Sequence, residues 1–136
     1  MRWVALWLLC APAVWADPAI LQADNAERAA QGRSLLAYDA RHDAVARSHG
    51  AGEQRTGFFA HEGSDGSNLG DRLRRSDVSF CFAAENIARG QQNLAEVMQG
   101  WMGSRGHRRN ILHRRAETVG VARVRDIWVM VLAAPC

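Results

Sequence analysis

The side chains best suited to chemistry are histidines and carboxylates that stand beside glycines or interrupt apolar runs. Histidines occur at 42, 49, 61, 107 and 113. His61 sits in the stretch Phe58-Phe59-Ala60-His61-Glu62-Gly63-Ser64-Asp65-Gly66-Ser67, and His107 follows Gly106. Loops and helix boundaries of this kind let a side chain point into a cleft. Glu85 interrupts the apolar run Phe80-Cys81-Phe82-Ala83-Ala84-Glu85-Asn86-Ile87. A carboxylate buried in a strand requires a partner, and an imidazole is a natural one. Such a pair either braces the fold or lines a cleft able to hold a divalent cation, zinc among them, or to do acid–base work.

Other constellations are weaker. His42 and His49 are seven residues apart on one helical face; with no carboxylate read at a matching spacing, both are expected at the surface. His61-Glu62 begins like H-E-x-x-H, but the fifth position is Asp65 and the segment is glycine-rich, which excludes a helical zinc-protease motif. Ser104 and His107 can be joined on paper with an aspartate, yet nothing like G-x-S-x-G surrounds Ser104. Ser104 serves equally well as a helix-ending residue.

The elements that must position these groups follow from periodicity. Residues 19–31 carry a helical apolar stripe stopped by Gly32. A short extended stretch, 34–38, precedes Asp39, an N-cap for a second helix over 40–54 that Gly50 and Gly52 weaken at its end. A short helix is expected over 68–75 and a strand over 79–89. Asn93 caps an amphipathic helix to Gly103 with Leu94, Val97, Met98 and Trp101 on one face. Residues 107–112 give one more turn. Strands 118–124 and 127–132 end the chain, joined at Arg125-Asp126. Helices first, then strands, with a helix between them, indicate an α+β fold.

Composition narrows the function classes. The chain has 136 residues, 48% hydrophobic and 23% charged, with a formal charge of +3. Every basic residue except histidine is arginine. That charge is too small for a nucleic-acid footprint. The clusters Arg72/Arg74/Arg75, Arg105/Arg108/Arg109 and Arg114/Arg115 are expected as solvated surface, with an acidic partner as the alternative.

Residues 1–16, MRWVALWLLCAPAVWA, have one positive charge, an apolar run and small residues at a cleavage site. They read as a secretory signal too short to span a bilayer, leaving residues 17–136 as one extracytoplasmic domain, secreted or periplasmic, without a transmembrane segment. Cys81 and Cys136 remain after cleavage, and an oxidising compartment favours their pairing.

Taken in order, Asn25-Ala-Glu-Arg28, Phe59-Ala-His61 with Asp65-Gly66, Ala84-Glu85-Asn86-Ile87-Ala88, Trp101-Met-x-Ser104-x-Gly106-His107-Arg108-x-Asn110-Ile111-Leu112, Val119-Gly120-Val121 and Trp128-Val129 resemble the bacterial branch of the CAP superfamily. That superfamily comprises cysteine-rich secretory proteins, antigen 5 and pathogenesis-related 1 proteins, and its domain is also called SCP. The similarity runs over residues 19–134. It implies an α-β-α sandwich with a mainly antiparallel central sheet and a surface cleft, where some members bind zinc or another divalent ion. His61, Glu85 and His107 carry over to that cleft. Ser104 stands where many eukaryotic relatives place a second acidic residue, so a full set of two histidines and two glutamates is not evident. Glu62 and Glu117 are the remaining acidic candidates, with no motif behind either. Ala84 replaces the family's usual glycine, and Met130 stands where relatives commonly carry glutamine.

Three functions follow as expectations. One is a module that binds a lipid or other small amphiphile, or an envelope or extracellular partner. The second is a metal-assisted hydrolase using His61, Glu85 and His107. The third is a structural protein of the cell envelope in which the His/Glu cluster only braces the fold. Fold alone does not choose among them.

Overall fold

The computed structural model describes residues 18–136. The proposed signal, 1–16, lies outside the described residues. Helix α1 (Pro18–Ala30) is followed by strand β1 (Ala37–Tyr38), α2 (Ala40–Thr56) and α3 (Leu69–Arg75). Then come β2 (Phe82–Arg89), α4 (Leu94–Gly103), α5 (Arg105–Ile111), β3 (Thr118–Val124) and β4 (Ile127–Ala134). Every expected element is present, with ends shifted by a few residues.

The helix starts follow their caps. Asp39 accepts from the Arg41 amide at the start of α2, Asn68 and Asp71 form a capping box on α3, and Asn93 accepts from the Glu96 amide on α4. The expectation that Gly50 and Gly52 weaken the end of α2 is not met. The helix runs past both to Gly57, which takes the left-handed conformation at φ 72°. Gly50 instead faces the sheet, where an added Cβ would lie 3.1 Å from Val124 Cγ2.

The sheet has the order β1-β3-β4-β2. β1 runs parallel to β3, and the β3–β4 and β4–β2 pairs are antiparallel. Alternation along the central strands builds two cores. On one face Val119, Val121, Trp128, Met130 and Leu132 pack with Val97, Met98 and Trp101 of α4 and Ile111 of α5, with Ile20 and Leu21 of α1 beside them. On the other, Ala122, Ile127, Val129 and Val131 pack with Val45 and Ala46 of α2 and Leu73 of α3. Both faces are covered, so every residue of β4 is buried. The architecture is the α-β-α sandwich expected from the sequence. Met130 is fully buried in the first core.

Two devices fix the periphery. Cys81 and Cys136 form a disulfide, as the oxidising-compartment reading anticipated. Arg28, fully buried, donates to the carbonyls of Ser34, Ile111, His113 and Ala116, holding the α5–β3 connection to α1. Asn25 bonds both the amide and the carbonyl of Leu36. The Asn25–Arg28 motif is therefore a structural clamp.

Candidate functional site

Strand alternation decides where Glu85 points. On β2, Glu85 and Ile87 share the face covered by α2 and α3, while Asn86 faces the α4–α5 side. Ile87 packs into the α2/α3 core, and Glu85 meets polar groups from three elements. Arg72 of α3 donates from Nη2 to Glu85 Oε2 at 2.8 Å. The ring of His61, from the glycine-rich loop, places Nδ1 3.0 Å from Glu85 Oε1. His49 of α2 brings Nε2 to 3.8 Å from the same oxygen. The Glu85 side chain is 3% exposed and that of His61 61% exposed. The carboxylate is thus a buried anchor, and the imidazole is what solvent meets.

Further hydrogen bonds orient these groups. His49 Nε2 donates to the Ala60 carbonyl at 2.8 Å, and the Ala60 amide donates to Glu53 Oε1 at 3.0 Å. Both bonds fix the backbone just before His61. Arg72 Nη1 also donates to the Ser67 carbonyl at 3.0 Å, tying the far end of the loop. Across the strand, Asn110 of α5 donates to Asn86 Oδ1 at 2.9 Å, and Asn86 donates to the His107 carbonyl at 3.1 Å.

The environments push the imidazoles apart. The hydrogen bond to Glu85 holds the His61 pKa above its usual 6.5, working against partial burial. Burial lowers that of His49, opposed by the Glu85 charge. Burial also lowers His107, assisted by the neighbouring His61 charge. Burial raises the Glu53 carboxyl, whose Oε2 has no hydrogen-bond partner among the described residues.

His61 and Glu85 border an open cleft of about 550 Å³ with Asn68, Leu69, Ala84 and Asn110. A second cleft of about 400 Å³, reaching Phe58, shares its Glu62 and Gly66 walls. Phe58 and Phe59 are both exposed, and Arg89 lies over the Phe59 ring at 4.7 Å.

The same sandwich recurs in known proteins. Residues 21–130 match the family model of CAP, the cysteine-rich secretory protein family. The chain belongs to the CAP family. An uncharacterized Bacillus subtilis protein, YkwD, is 33% identical over 111 residues, 80% of this chain and 43% of its own length. An uncharacterized membrane protein of the same organism, YlbC, is 31% identical over 75% of this chain and 30% of its own. The chain therefore spans less than half of these curated relatives. Among solved structures, an extracellular SCP-domain protein of Bacillus anthracis aligns with a TM-score of 0.83 at 31% identity, covering 86% of this chain and 39% of that one. An outer surface protein of Borrelia burgdorferi shares the fold, with a TM-score of 0.82 at 19% identity over 88% of this chain and 92% of its own.

Within this CAP domain the sequence-derived set is brought together unevenly. His61 and Glu85 are bonded, and His107 lies near enough to His61 for their charges to interact. Ser104 sits at the α4–α5 junction, its amide bonded to the Trp101 carbonyl and its carbonyl to the Arg108 amide. Its side chain makes no capping bond to α5, so its observed role is that of the junction residue.

Other expectations need correction. His49 is not a surface residue: it is buried beside Glu85 and has Glu53 four residues on. That i, i+4 spacing is legible in the sequence and was the signal overlooked. His42 is buried as well, its Nε2 2.9 Å from Thr118 Oγ1, because α2 lies close against β3. Arg72 leaves the solvated cluster to which it was assigned and is the buried counter-ion of Glu85. Glu62 and Glu117, the remaining acidic candidates, are exposed.

A divalent cation fits this arrangement poorly. Both Glu85 oxygens are engaged, and Arg72 already supplies the compensating positive charge. Among the described residues no group of three or more His, Cys, Asp or Glu is gathered to hold a metal ion.

Proposed function

We propose that this CAP domain is an extracytoplasmic binding module whose cleft takes a small amphiphile with an acidic head. The observation that carries the reading is the pairing of a buried Glu85, each oxygen of which accepts a hydrogen bond, with an exposed His61. Each Glu85 oxygen is engaged by a cationic or imidazole donor, whereas His61 is held toward its cationic form at the cleft border. An acidic headgroup gains a charge-assisted hydrogen bond there. The adjoining cleft offers the Phe58 ring as an apolar contact for the rest of the molecule. Extracellular and outer-surface relatives of the same fold, the disulfide, and the signal-like residues 1–16 support the compartment.

The test is a thermal-shift and calorimetric titration with oleate as probe, beside zinc, magnesium and calcium, on the wild type, His61→Ala and Phe58→Ala. The expected result is saturable oleate binding weakened at least about tenfold in both variants, as loss of a charge-assisted contact or an apolar wall implies. A melting-temperature rise with one cation, abolished in His61→Ala and Glu85→Ala, overturns this reading in favour of a metal site and hydrolytic assays. No response to oleate or to any ion leaves the His61–Glu85–Arg72 network as a brace of the loop.

A further inference from the structure

A second, unrelated feature lies on the outer face of α5. Helical spacing divides this helix: Asn110 and the His107 carbonyl engage β2, whereas Arg105, Arg108, Arg109 and Leu112 fall at i, i+3, i+4 and i+7 on the opposite side. With Arg33 and Arg114 these residues enclose an open cavity of about 610 Å³. Among the described residues no Asp or Glu lines it. Among the described residues, too, none of these five arginines forms an ion pair, in contrast to Arg41, Arg47, Arg72, Arg74 and Arg75.

One wall of the cavity and the segment behind it are held by hydrogen bonds. Arg33 is fixed by bonds from Nε to the Leu112 carbonyl at 2.9 Å and from Nη1 to the Gln31 carbonyl at 3.1 Å. The segment that carries Leu112, His113 and Arg114 is held by the buried Arg28, which donates to the carbonyls of Ile111, His113 and Ala116. Arg28 also adds positive charge close to His113. His113 stacks on Phe82 at 4.1 Å between ring centroids, and burial together with Arg115, Arg109 and Arg28 lowers its pKa. Five arginines without a carboxylate give this wall a concentrated positive potential that attracts anions. Guanidinium forks match phosphate oxygens two at a time.

We propose that this cavity is an anion site for a ligand carrying two or more clustered phosphate groups, distinct from the His61 cleft. The phosphates can come from a soluble oligophosphate or from phospholipid headgroups. Inorganic tripolyphosphate probes the first source. Vesicles of phosphatidylglycerol, with phosphatidylcholine vesicles as the neutral control, probe the second.

Binding of both probes is measured on the wild type and on two variants of equal net charge. The site variant is Arg105→Gln/Arg109→Gln/Arg114→Gln, and the control is Arg47→Gln/Arg74→Gln/Arg125→Gln. Since all six side chains are exposed, both proteins are expected to fold, which melting curves verify. The site variant should lose about tenfold or more in affinity and the control less than about threefold, with wild-type binding weakening as salt rises from about 50 to about 300 mM. Binding of tripolyphosphate alone assigns a soluble ligand, and binding of phosphatidylglycerol vesicles alone assigns headgroups. Equal losses in the two variants, or no binding of either probe to the wild type, overturn the proposal. His61→Ala is expected to leave this binding intact, which separates its outcome from that of the amphiphile test.

Discussion

Replacing Gly120 with alanine tests how the sandwich carries the site. Gly120 lies in β3 directly beneath the start of α2. An added Cβ would stand 2.5 Å from the His42 carbonyl carbon and 2.6 Å from His42 Cβ, and closer still to the Asp43 amide nitrogen. Carbon atoms pack at about 3.5 Å or more, so helix and strand must separate by roughly 1 Å. The obstructing atoms are backbone, and no rotamer change relieves them. Ordinary overpacking of a core costs about 1–3 kcal/mol; this position belongs at or above the top of that range. A domain of this size loses about 4 °C per kcal/mol, so the melting temperature should fall by about 12 °C or more. Movement of α2 also displaces His49 and Glu53 from Ala60, loosening the loop that presents His61. Gly103→Ala is the internal contrast, because nothing lies within 4 Å of a Cβ there. It should be neutral or slightly stabilising, by about 0.4–1 kcal/mol at most. The assay is thermal unfolding of the three proteins by circular dichroism. A Gly120→Ala protein melting within about 2 °C of wild type would falsify the backbone-to-backbone contact and the positioning role given to α2.

Three further predictions concern charge and covalent links. Glu85→Gln leaves the buried Arg72 guanidinium without its anion and should cost about 2–4 kcal/mol; it should also move the His61 titration, followed by NMR, down toward its usual value, whereas an unchanged titration would contradict the pairing. Asp24 is fully buried, neither carboxyl oxygen is hydrogen-bonded among the described residues, and burial pushes its pKa from 3.8 up to about 7. Between those values the folded state holds a proton that the unfolded state has released, so stability falls as pH rises through the window and levels off above it. Asp24→Asn should remove that slope and be more stable than wild type above about pH 7, by up to about 4 kcal/mol; denaturant midpoints at about pH 4.5 and about pH 7.5 that shift equally in both proteins would rule this out. Cys81→Ser with Cys136→Ser opens a link between residues 55 apart, worth about 4 kcal/mol in the chain-entropy model, and a loss below about 1 kcal/mol in urea unfolding would show that the link contributes little.

What the sequence by itself determined is local. Apolar spacing at 94, 97, 98 and 101 marked α4, Asp39 and Asn93 marked helix starts, and the Arg125-Asp126 turn separated β3 from β4. These signals depend on neighbours a few residues away, and the chain order of the motifs then pointed to the family. His61 and Glu85 could be paired because a carboxylate inside an apolar strand demands a partner. The tertiary structure decided the rest. Arg72 looks like one of a surface cluster until α3 docks beside β2 and turns it onto Glu85. His49 and His42 look exposed until Gly50 and Gly120 let α2 lie against the sheet. The arginines at 33 and 114 join those of α5 only because Arg28 folds the α5–β3 connection against α1. Sequence spacing reports which residues share a face of one element; burial and charge pairing depend on which other element covers that face.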